Sequence, residues 1–344
     1  MDPMNHGQVT VLLALYRGAA FLPAQLDSIA AQDADWRLVV SDDHPDAGAA
    51  IVRRFAAAHP GRVELRAGPG RGAAANFLSM LAALPEDPGF VALSDQDDVW
   101  LAGKLSRALA ALQELGKAPA LYCSRATICD AGLRPLGLTP ALRHKPSFRH
   151  ALVQNLVQGN TAVLNPAAAT LARQAAQGAG VGEGYGAGDG VRAVVMHDWW
   201  LYQLVTGAGG RVIWDPRPSL LYRQHGGNVV GANAGLRARL ASAGRMLSGR
   251  HRDWSLATLH EMQRLRPLLT PEHRAVLEDF AMLCGPGAGA RLRALRRGGF
   301  HRRDAPSQAL LWLALFIVLL GLGIDERFFL EMARAGVLVN LVMW

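Results

Sequence analysis

A run of acidic residues near the middle of the chain could hold a metal ion. Asp95, Asp97 and Asp98 place three carboxylates in Asp95-Gln96-Asp97-Asp98, shortly after the apolar run Phe90–Leu93. Like charges at this spacing repel, so the run favours either a bound cation or contact with solvent. Carboxylate oxygens suit Mg²⁺ or Mn²⁺, and Mg²⁺ commonly takes substrate phosphates as further ligands. The alternative interpretation is a solvated turn, which the turn preference of aspartate also allows.

Two other acidic positions suggest a nucleotide and a general base. Asp42-Asp43 ends an earlier apolar run, and a carboxylate there could accept the imide N–H of uracil or thymine. The alternative is an aspartate that opens a loop or caps a helix. His197-Asp198 begins an aromatic segment, and a carboxylate partly desolvated by Trp199 and Trp200 has the raised proton affinity that suits a general base. The alternative is an N-cap aspartate beside core tryptophans.

The stretch from Tyr222 to Asn228 mixes cationic, metal-capable and flexible residues. Arg223 could clamp a diphosphate, and His225 could complete a metal shell. A polar loop without ligands is the alternative. Ser/His/Asp hydrolase geometry is not indicated, because the sequence has no G-x-S-x-G elbow, and a Walker loop and a G-x-G-x-x-G fingerprint are also missing.

Alternating strand and helix patterns predict how these residues are positioned. Strands are predicted at Val9–Leu15, Trp36–Val40, Arg62–Arg66, Phe90–Leu93, Leu121–Ile128, Gln158–Leu164, Arg211–Trp214 and Ser219–Tyr222. Helices are predicted at Ala20–Ala31, Ala49–Ala58, Ala74–Leu84, Leu101–Leu115, Pro166–Gln174 and Val194–Val205. The alternation favours a parallel sheet, in which ligands bind beyond the carboxyl ends of the strands. Both acidic clusters follow strands, so we expect them to share one crevice.

The last third of the chain is basic and reads as a separate helical region. The chain has 344 residues and a formal net charge of +8, and arginines accumulate after residue 236. We therefore divide it into domains at 1–231 and 232–344. Charge of this kind suggests nucleic acid, a diphosphate or an anionic membrane as partner, and the scarcity of aromatic residues among the arginines argues against single-stranded nucleic acid.

One apolar segment, 309–324, lies near the end of this region and has no charged residue. As a helix it would span roughly 24 Å, short of the roughly 30 Å hydrocarbon core, so a helix lying in the membrane plane is expected and a buried core helix is the alternative. No secretory signal is found, and three cysteines do not suggest a disulfide framework. We expect a cytoplasmic protein that associates peripherally with the inner face of the cell membrane.

In order along the chain, these pieces resemble the family 2 inverting glycosyltransferases of GT-A fold, and most closely the bacterial rhamnosyltransferase-like branch. The resemblance covers about residues 8–231. The matching stretches are Val11–Tyr16, Gln25–Ile29, Ser41-Asp42-Asp43, Asn76-Phe77, Ser94–Trp100, Gln158-Gly159-Asn160-Thr161, His197–Trp200 and Tyr222–His225. Two departures fall at the expected ribose and base contacts: Arg17-Gly18 replaces the usual Asn-Gly, and His44-Pro45-Asp46-Ala47 replaces the usual Gly-Ser-Thr-Asp.

The resemblance implies a fold and a role for each residue. The fold is a Rossmann-like, mixed but mostly parallel sheet flanked by helices, followed by a C-terminal helical appendage that associates with a membrane. Asp198 is the implied catalytic base, Arg223 the diphosphate ligand, and Trp199 and Trp200 the acceptor contacts. The implied metal ligands for Mg²⁺ or Mn²⁺ are Asp97, Asp95 and His225. The implied nucleotide contacts are Leu15, Tyr16, Asp42, Asp43, Asn76, Asp95 and Gln96.

The expected activity is therefore sugar transfer with inversion, from a nucleotide-sugar donor to a saccharide acceptor that is lipid-linked, in cell-surface polysaccharide synthesis. Rhamnose from dTDP-rhamnose is the leading candidate for the transferred sugar, while galactose or glucose from the UDP-sugars remain open. Partners are the dTDP- or UDP-sugar, the acceptor and an anionic membrane surface, and not nucleic acid. The competing hypothesis is a non-catalytic sugar-nucleotide-binding or membrane-surface regulatory protein of the same fold.

Overall fold

Seven strands form the main sheet of the computed structural model, which describes residues 7–177, 194–225, 250–302 and 308. These strands are β1 Val9–Leu15, β2 Trp36–Asp42, β3 Val63–Ala67, β4 Phe90–Asp95, β6 Ala120–Ser124, β9 Val163–Leu164 and β10 Arg211–Asp215. Their order across the sheet is β10-β6-β9-β4-β1-β2-β3. Only β9 runs antiparallel to its neighbours, so the expected mixed and mostly parallel sheet is confirmed.

Helices cover the sheet because its central strands are apolar on both faces. In β1 and β4 nearly every side chain is buried, as parallel strands between helical layers require. The helices of the first 225 residues are α1 Leu22–Ala30, α2 Ala47–Ala58, α3 Ala73–Ala82, α4 Lys104–Gln113, α5 Phe148–Ala151, α6 Pro166–Gln177 and α7 His197–Gly207. Two apolar cores result, and each fills one side of the sheet.

A second, four-stranded sheet lies beside the carboxyl ends of the main one. Its strands are β5 Val99–Trp100, β7 Thr127–Cys129, β8 Pro135–Leu138 and β11 Leu220–Arg223, in the order β5-β11-β7-β8. Because β5 follows the acidic run directly and pairs with β11, this small sheet joins the Asp95–Asp98 segment to the segment that carries Arg223 and His225.

Three helices of the C-terminal region pack on the main domain: α8 Arg250–Arg264, α9 Pro271–Cys284 and α10 Ala288–Gly298. Met262, Phe280 and Leu295 from these helices belong to the same apolar core as the tryptophans of α7. The Trp200 indole N–H donates to Glu261 Oε1 of α8 at 2.8 Å, which satisfies a carboxylate that is only 5% exposed. The region is helical as expected, and its described helices share the core of the sheet domain.

Two sequence-based strand assignments were wrong, both near the site. Within Gln158–Leu164, residues Gly159–Thr161 form a 3-10 turn and only Val163–Leu164 pair in the sheet. Thr161 Oγ1 donates to the carbonyl of Gln158 at 2.8 Å, and this local bond closes the turn. The run Leu121–Ile128 divides into β6 and β7, which belong to different sheets.

Two expectations fall on parts of the chain that lie outside the described residues. These are the apolar segment 309–324 and the domain boundary at 231/232. Within the described ranges we find no helix whose length and apolarity would allow it to cross a bilayer.

Candidate active site

The strand order brings the two acidic clusters to one edge of the sheet. Strand β1 lies between β2 and β4, with Leu15 opposite Asp42 and Ala14 opposite Asp95. All three strands are parallel, so their carboxyl ends open onto the same crevice. Asp198, at the start of α7, contributes a third carboxylate, which raises the pKa of Asp95 through its charge. Both acidic clusters therefore lie at one edge of the sheet, as expected, and Asp198 is close enough for its charge to act on Asp95.

Asp97 and His225 form the closest pair of metal-capable side chains in this crevice. His225 Nε2 lies 2.7 Å from Asp97 Oδ2, although 128 residues separate them in the chain. The imidazole packs against the Phe21 ring at 4.7 Å between centroids. The His225 side chain is 19% exposed and the Asp97 side chain is 13% exposed, so both are largely buried.

Arg223 is buried beside this pair and bonds the backbone of the acidic run. Its Nε donates to the carbonyl of Asp97 at 2.9 Å, and its Nη1 donates to the carbonyl of Ala131. The guanidinium also lies 4.7 Å from the centre of the Phe21 ring, and the residue is only 6% exposed. These contacts fix the backbone of the acidic run, and direct contact of Arg223 with a diphosphate stays a prediction.

Asp98 is a buried anchor. It is fully buried, accepts a hydrogen bond from Asn160 Nδ2 at 2.6 Å, and accepts a second from the backbone N–H of Arg223 at 3.3 Å. Burial, and then the charges of Asp95 and Asp97, raise its pKa well above the usual range. The sequence assigned no role to Asn160, although the Gln158-Gly159-Asn160-Thr161 stretch was a usable signal.

Asp95 also carries an electrostatic conflict with its neighbours. Burial raises the pKa of its carboxyl to about 7, and the charges of Asp97 and Asp198 push it in the same direction. A carboxylate under these conditions is stabilised by anything that brings positive charge.

Asp198 is held at the start of α7 by backbone hydrogen bonds. Its Oδ1 accepts from the N–H of Trp199 at 2.7 Å and its Oδ2 accepts from the N–H of Gly159 at 3.3 Å. The N-cap is Met196, so the capping alternative for Asp198 was wrong by two positions. His197 stacks on Phe77 at 3.9 Å, and a Cβ at position 159 would lie 2.5 Å from His197 Nε2. Only glycine at 159 allows this close approach.

Both tryptophans that follow Asp198 are buried. The Trp199 indole N–H donates to the carbonyl of Ala151, and Trp200 bonds Glu261. A cavity beside them has a volume of about 10 Å³, room for one water molecule and not for a sugar ring. Their observed role is to seat α7 in the core, and acceptor contact by either ring stays a prediction.

The Asp42-Asp43 end of β2 is organised by a glycine loop. Asp43 Oδ1 and Oδ2 accept from the N–H groups of Gly70 and Gly72 at 3.0 and 3.1 Å. Partial burial raises the pKa of Asp43, and these two hydrogen bonds oppose the rise. A Cβ at Gly68 would lie 2.2 Å from Asp43 Oδ1, so the loop approaches closely only as glycine. Sequence reasoning missed this loop.

The neighbouring Asp42 turns back on its own backbone. Its Oδ1 accepts from the N–H of His44 at 3.0 Å, and the residue is 5% exposed. A hydrogen bond from the nucleotide base to Asp42 or Asp43 stays a prediction.

The other expected nucleotide residues shape the crevice. Gln96 Oε1 accepts from the N–H of Tyr16 at 2.7 Å, and Gln96 Nε2 donates to the Tyr16 carbonyl at 2.8 Å. Leu15 is fully buried, and its carbonyl accepts from the N–H of Asp43 at 2.8 Å. Asn76, 1% exposed, donates to the Ser41 carbonyl at 2.9 Å. Tyr16 is 53% exposed and is the one of these four that faces solvent.

The side chains present suit a hard divalent cation whose remaining ligands come from the substrate. Asp97 and His225 provide one carboxylate and one imidazole, with the Asp95 carboxylate nearby. Within the described ranges, no three His, Cys, Asp or Glu side chains are grouped closely enough to hold an ion by themselves. Mg²⁺ commonly takes one or two carboxylates together with substrate phosphates, so a small protein ligand set is sufficient.

Comparison with known sequences agrees with this geometry. Residues 10–178 match the family described as Glycosyl transferase family 2. The chain is 24% identical over 249 residues to the dTDP-rhamnosyl transferase RfbG of Shigella flexneri, a match that covers 67% of this chain and 78% of that protein.

Two solved structures are similar in outline. The mannosyltransferase PcManGT from Pyrobaculum calidifontis, in complex with GDP-Man and Mn²⁺, has a TM-score of 0.47 and 19% identity, over 98% of this chain and 88% of that one. S. aureus TarS 1–349 in complex with UDP-GlcNAc has a TM-score of 0.46 and 13% identity, over 85% and 90%.

The raised pKa of Asp95 predicts a specific pH dependence of stability in excess chelator. Between pH 5 and 7 the folded protein holds a proton on Asp95 that the unfolded chain has lost, so the free energy of unfolding should fall as pH rises through this window. Asp95→Asn should remove a slope on the order of 1 kcal/mol per pH unit. Urea unfolding at half-unit pH steps measures this slope.

The control for this measurement is Asp130→Asn. The Asp130 carboxyl has a lowered pKa because of Arg134, and it therefore stays ionised throughout the same window. Equal slopes for wild type and Asp95→Asn would show that Asp95 does not carry the proton.

Proposed function

Because this chain belongs to family 2 of the glycosyltransferases through residues 10–178, we propose that it transfers a sugar with inversion from a nucleotide-sugar donor to a saccharide acceptor. The observation that carries this proposal is the meeting of Asp95, Asp97 and Asp198 in one crevice, with His225 beside Asp97. Such a cluster suits a ligand that arrives as a diphosphate with a divalent cation.

The donor would bind along the strand ends. The base would lie near Asp43 at the end of β2, and the diphosphate near Asp97 at the end of β4. Asp97 and His225, with Asp95, would hold Mg²⁺ or Mn²⁺, which when bound supplies positive charge that improves the diphosphate as a leaving group. Asp98, Asn160 and Arg223 keep the acidic run in the position that this requires.

Asp198 is the base in this proposal. Its carboxylate takes the proton of the acceptor hydroxyl while the hydroxyl oxygen bonds to the anomeric carbon, and the bond from that carbon to the diphosphate oxygen breaks. Attack from the face opposite the leaving group gives inversion in one displacement. The N–H groups of Trp199 and Gly159 fix the direction of the carboxylate, and the short aspartate side chain loses little conformational freedom in being held.

Rhamnose is the leading donor sugar, and dTDP its carrier. The support is the similarity to the Shigella flexneri dTDP-rhamnosyl transferase. UDP-glucose and UDP-galactose are the competing donors. The acceptor in this proposal is a lipid-linked saccharide of cell-surface polysaccharide assembly, which places the reaction at the cytoplasmic face of a membrane.

Helix α10 offers a surface for that membrane. Leu292, Arg293 and Arg296 share its exposed side, and neither arginine forms an ion pair within the described ranges. Met282 of α9 is also exposed, at 36%. Residues 250–302 contain ten arginines and five acidic residues, so this region is attracted to anionic headgroups. Exposed apolar side chains between the arginines suit shallow insertion.

The donor assignment is tested by hydrolysis and transfer assays with a panel of nucleotide sugars. With Mn²⁺ present, dTDP-rhamnose should be consumed faster than UDP-glucose, UDP-galactose or GDP-mannose, and excess chelator should abolish the reaction. Preference for another donor would overturn the rhamnose assignment alone. Full activity in excess chelator would overturn the metal role. Nucleotide binding without any turnover would favour the alternative, a non-catalytic sugar-nucleotide-binding protein.

Asp198→Asn tests the base. The change keeps the size and the hydrogen-bonding position but removes the proton acceptor, so kcat should fall by about 10²- to 10⁴-fold. Affinity for the nucleotide, measured by calorimetry, should change little. Asp253→Asn is the matched control, since Asp253 also lies in the first turn of a helix. A wild-type rate in Asp198→Asn would show that another group takes the proton.

Charge reversal on α10 tests the membrane surface. The double variant Arg293→Glu with Arg296→Glu should bind vesicles containing anionic lipid at least about 10-fold more weakly, since each basic residue contributes about 1 kcal/mol near such a surface. The control pair is Arg53→Glu with Arg54→Glu, two exposed arginines of α2. Vesicle flotation with the full chain gives the comparison, and equal loss in both pairs would point to overall charge and not to α10.

A further inference from the structure

Both departures from the family pattern meet at one exposed side chain. Tyr16 follows β1 directly, and the Arg17 guanidinium lies 5.2 Å from the centre of its ring. The His44 ring lies 5.8 Å from the same ring. A cation and a second ring are therefore both close to this exposed aromatic side chain at the end of β1.

The loop that presents Arg17 is held firmly in an unusual shape. Arg17 has φ of +50°, in the left-handed region that arginine rarely adopts. A Cβ at Gly18 would lie 2.1 Å from the Gln96 side chain, so a larger residue here would displace the amide that bonds Tyr16. Gln96 in turn bonds both the N–H and the carbonyl of Tyr16. A strained residue persists where its surroundings fix it, and such residues concentrate at ligand sites.

The position of β1 places Arg17 between the two halves of the donor site. Strand β1 pairs with β2, which ends at Asp42, on one side and with β4, which ends at Asp95, on the other. If the base lies over the end of β2 and the diphosphate over the end of β4, the end of β1 lies between them. Arg17 is two residues beyond that end.

An exposed guanidinium at this edge would add positive charge beside that of the divalent cation. Asp42, Asp43, Asp95, Asp97 and Asp198 line the strand ends and the start of α7, and the donor itself is an anion. The buried guanidinium of Arg223 is engaged with the carbonyls of Asp97 and Ala131. Arg17 is exposed and forms no ion pair within the described ranges.

We propose that Arg17 binds the diphosphate of the nucleotide-sugar donor, with the Tyr16 ring as the platform on which its guanidinium rests. This inference rests on the proposed function and adds a phosphate contact that the family pattern, with asparagine at this position, does not contain. Because the contact is with phosphate oxygens, it should contribute to the binding of dTDP and UDP alike.

Arg17→Asn tests the inference, since asparagine accepts the left-handed region well and retains the loop. Calorimetry with Mg²⁺ should show about 10- to 100-fold weaker binding of both dTDP and UDP, as expected for loss of a charge-assisted hydrogen bond. Arg17→Gly is the second variant, because glycine relieves the backbone strain and should fold at least as well. Arg37→Asn is the control, since Arg37 is an exposed arginine near the amino end of β2, at the opposite edge of the sheet.

The outcomes distinguish a failure of the Arg17 inference from a failure of the proposed function. Loss for both nucleotides in both Arg17 variants, with Arg37→Asn unchanged, supports the inference. Affinities within twofold of wild type, or a loss confined to one of the two bases, would overturn it while the proposed function stands. If wild type binds neither nucleotide, the failure lies with the proposed donor.

Discussion

Electrostatic repulsion among carboxylates at the ends of parallel strands is the constraint on which the rest of this structure depends. Asp95 is pushed toward protonation by burial and by the charges of Asp97 and Asp198. Such a cluster lowers stability unless positive charge relieves it. The fold therefore gives up stability at this edge of the sheet to keep a site in which a cation and its diphosphate are favourable.

A repelling cluster keeps its shape only if its backbone is fixed from outside. Here Asn160 and the N–H of Arg223 hold Asp98, the Arg223 side chain holds the carbonyl of Asp97, and Gln96 ties the run to Tyr16. The small second sheet makes this possible, because pairing of β5 with β11 brings Arg223 beside the acidic run.

Sequence patterns predicted the parts of this architecture that depend on local residue order. They did not predict the parts that depend on contacts between distant segments. The apolar run Val9–Leu15 is a strand with the predicted bounds, because two buried faces leave a continuous apolar signature. The placing of Asp42 and Asp95 at one edge of the sheet followed from strand ends, whereas Asp198 was expected beside them only through the family resemblance. The second sheet was missed because its strands have two to four residues. The Gly68–Gly72 loop was missed because its close approach to Asp43 depends on a contact 27 residues away.

The same division applies to the support behind the site residues. Residue type suggested that Arg223 could clamp a diphosphate, and the family resemblance implied acceptor contacts for Trp199 and Trp200, but neither signal reveals the support that these side chains give. In the structure the Arg223 donors meet backbone carbonyls and the tryptophan N–H groups meet Ala151 and Glu261, while ligand contact by the three residues stays a prediction. Tyr16 and Arg17 are exposed at the crevice, on a loop that Gln96 fixes. Positive charge that is both exposed and held in place is what an acidic crevice lacks, and this loop provides it.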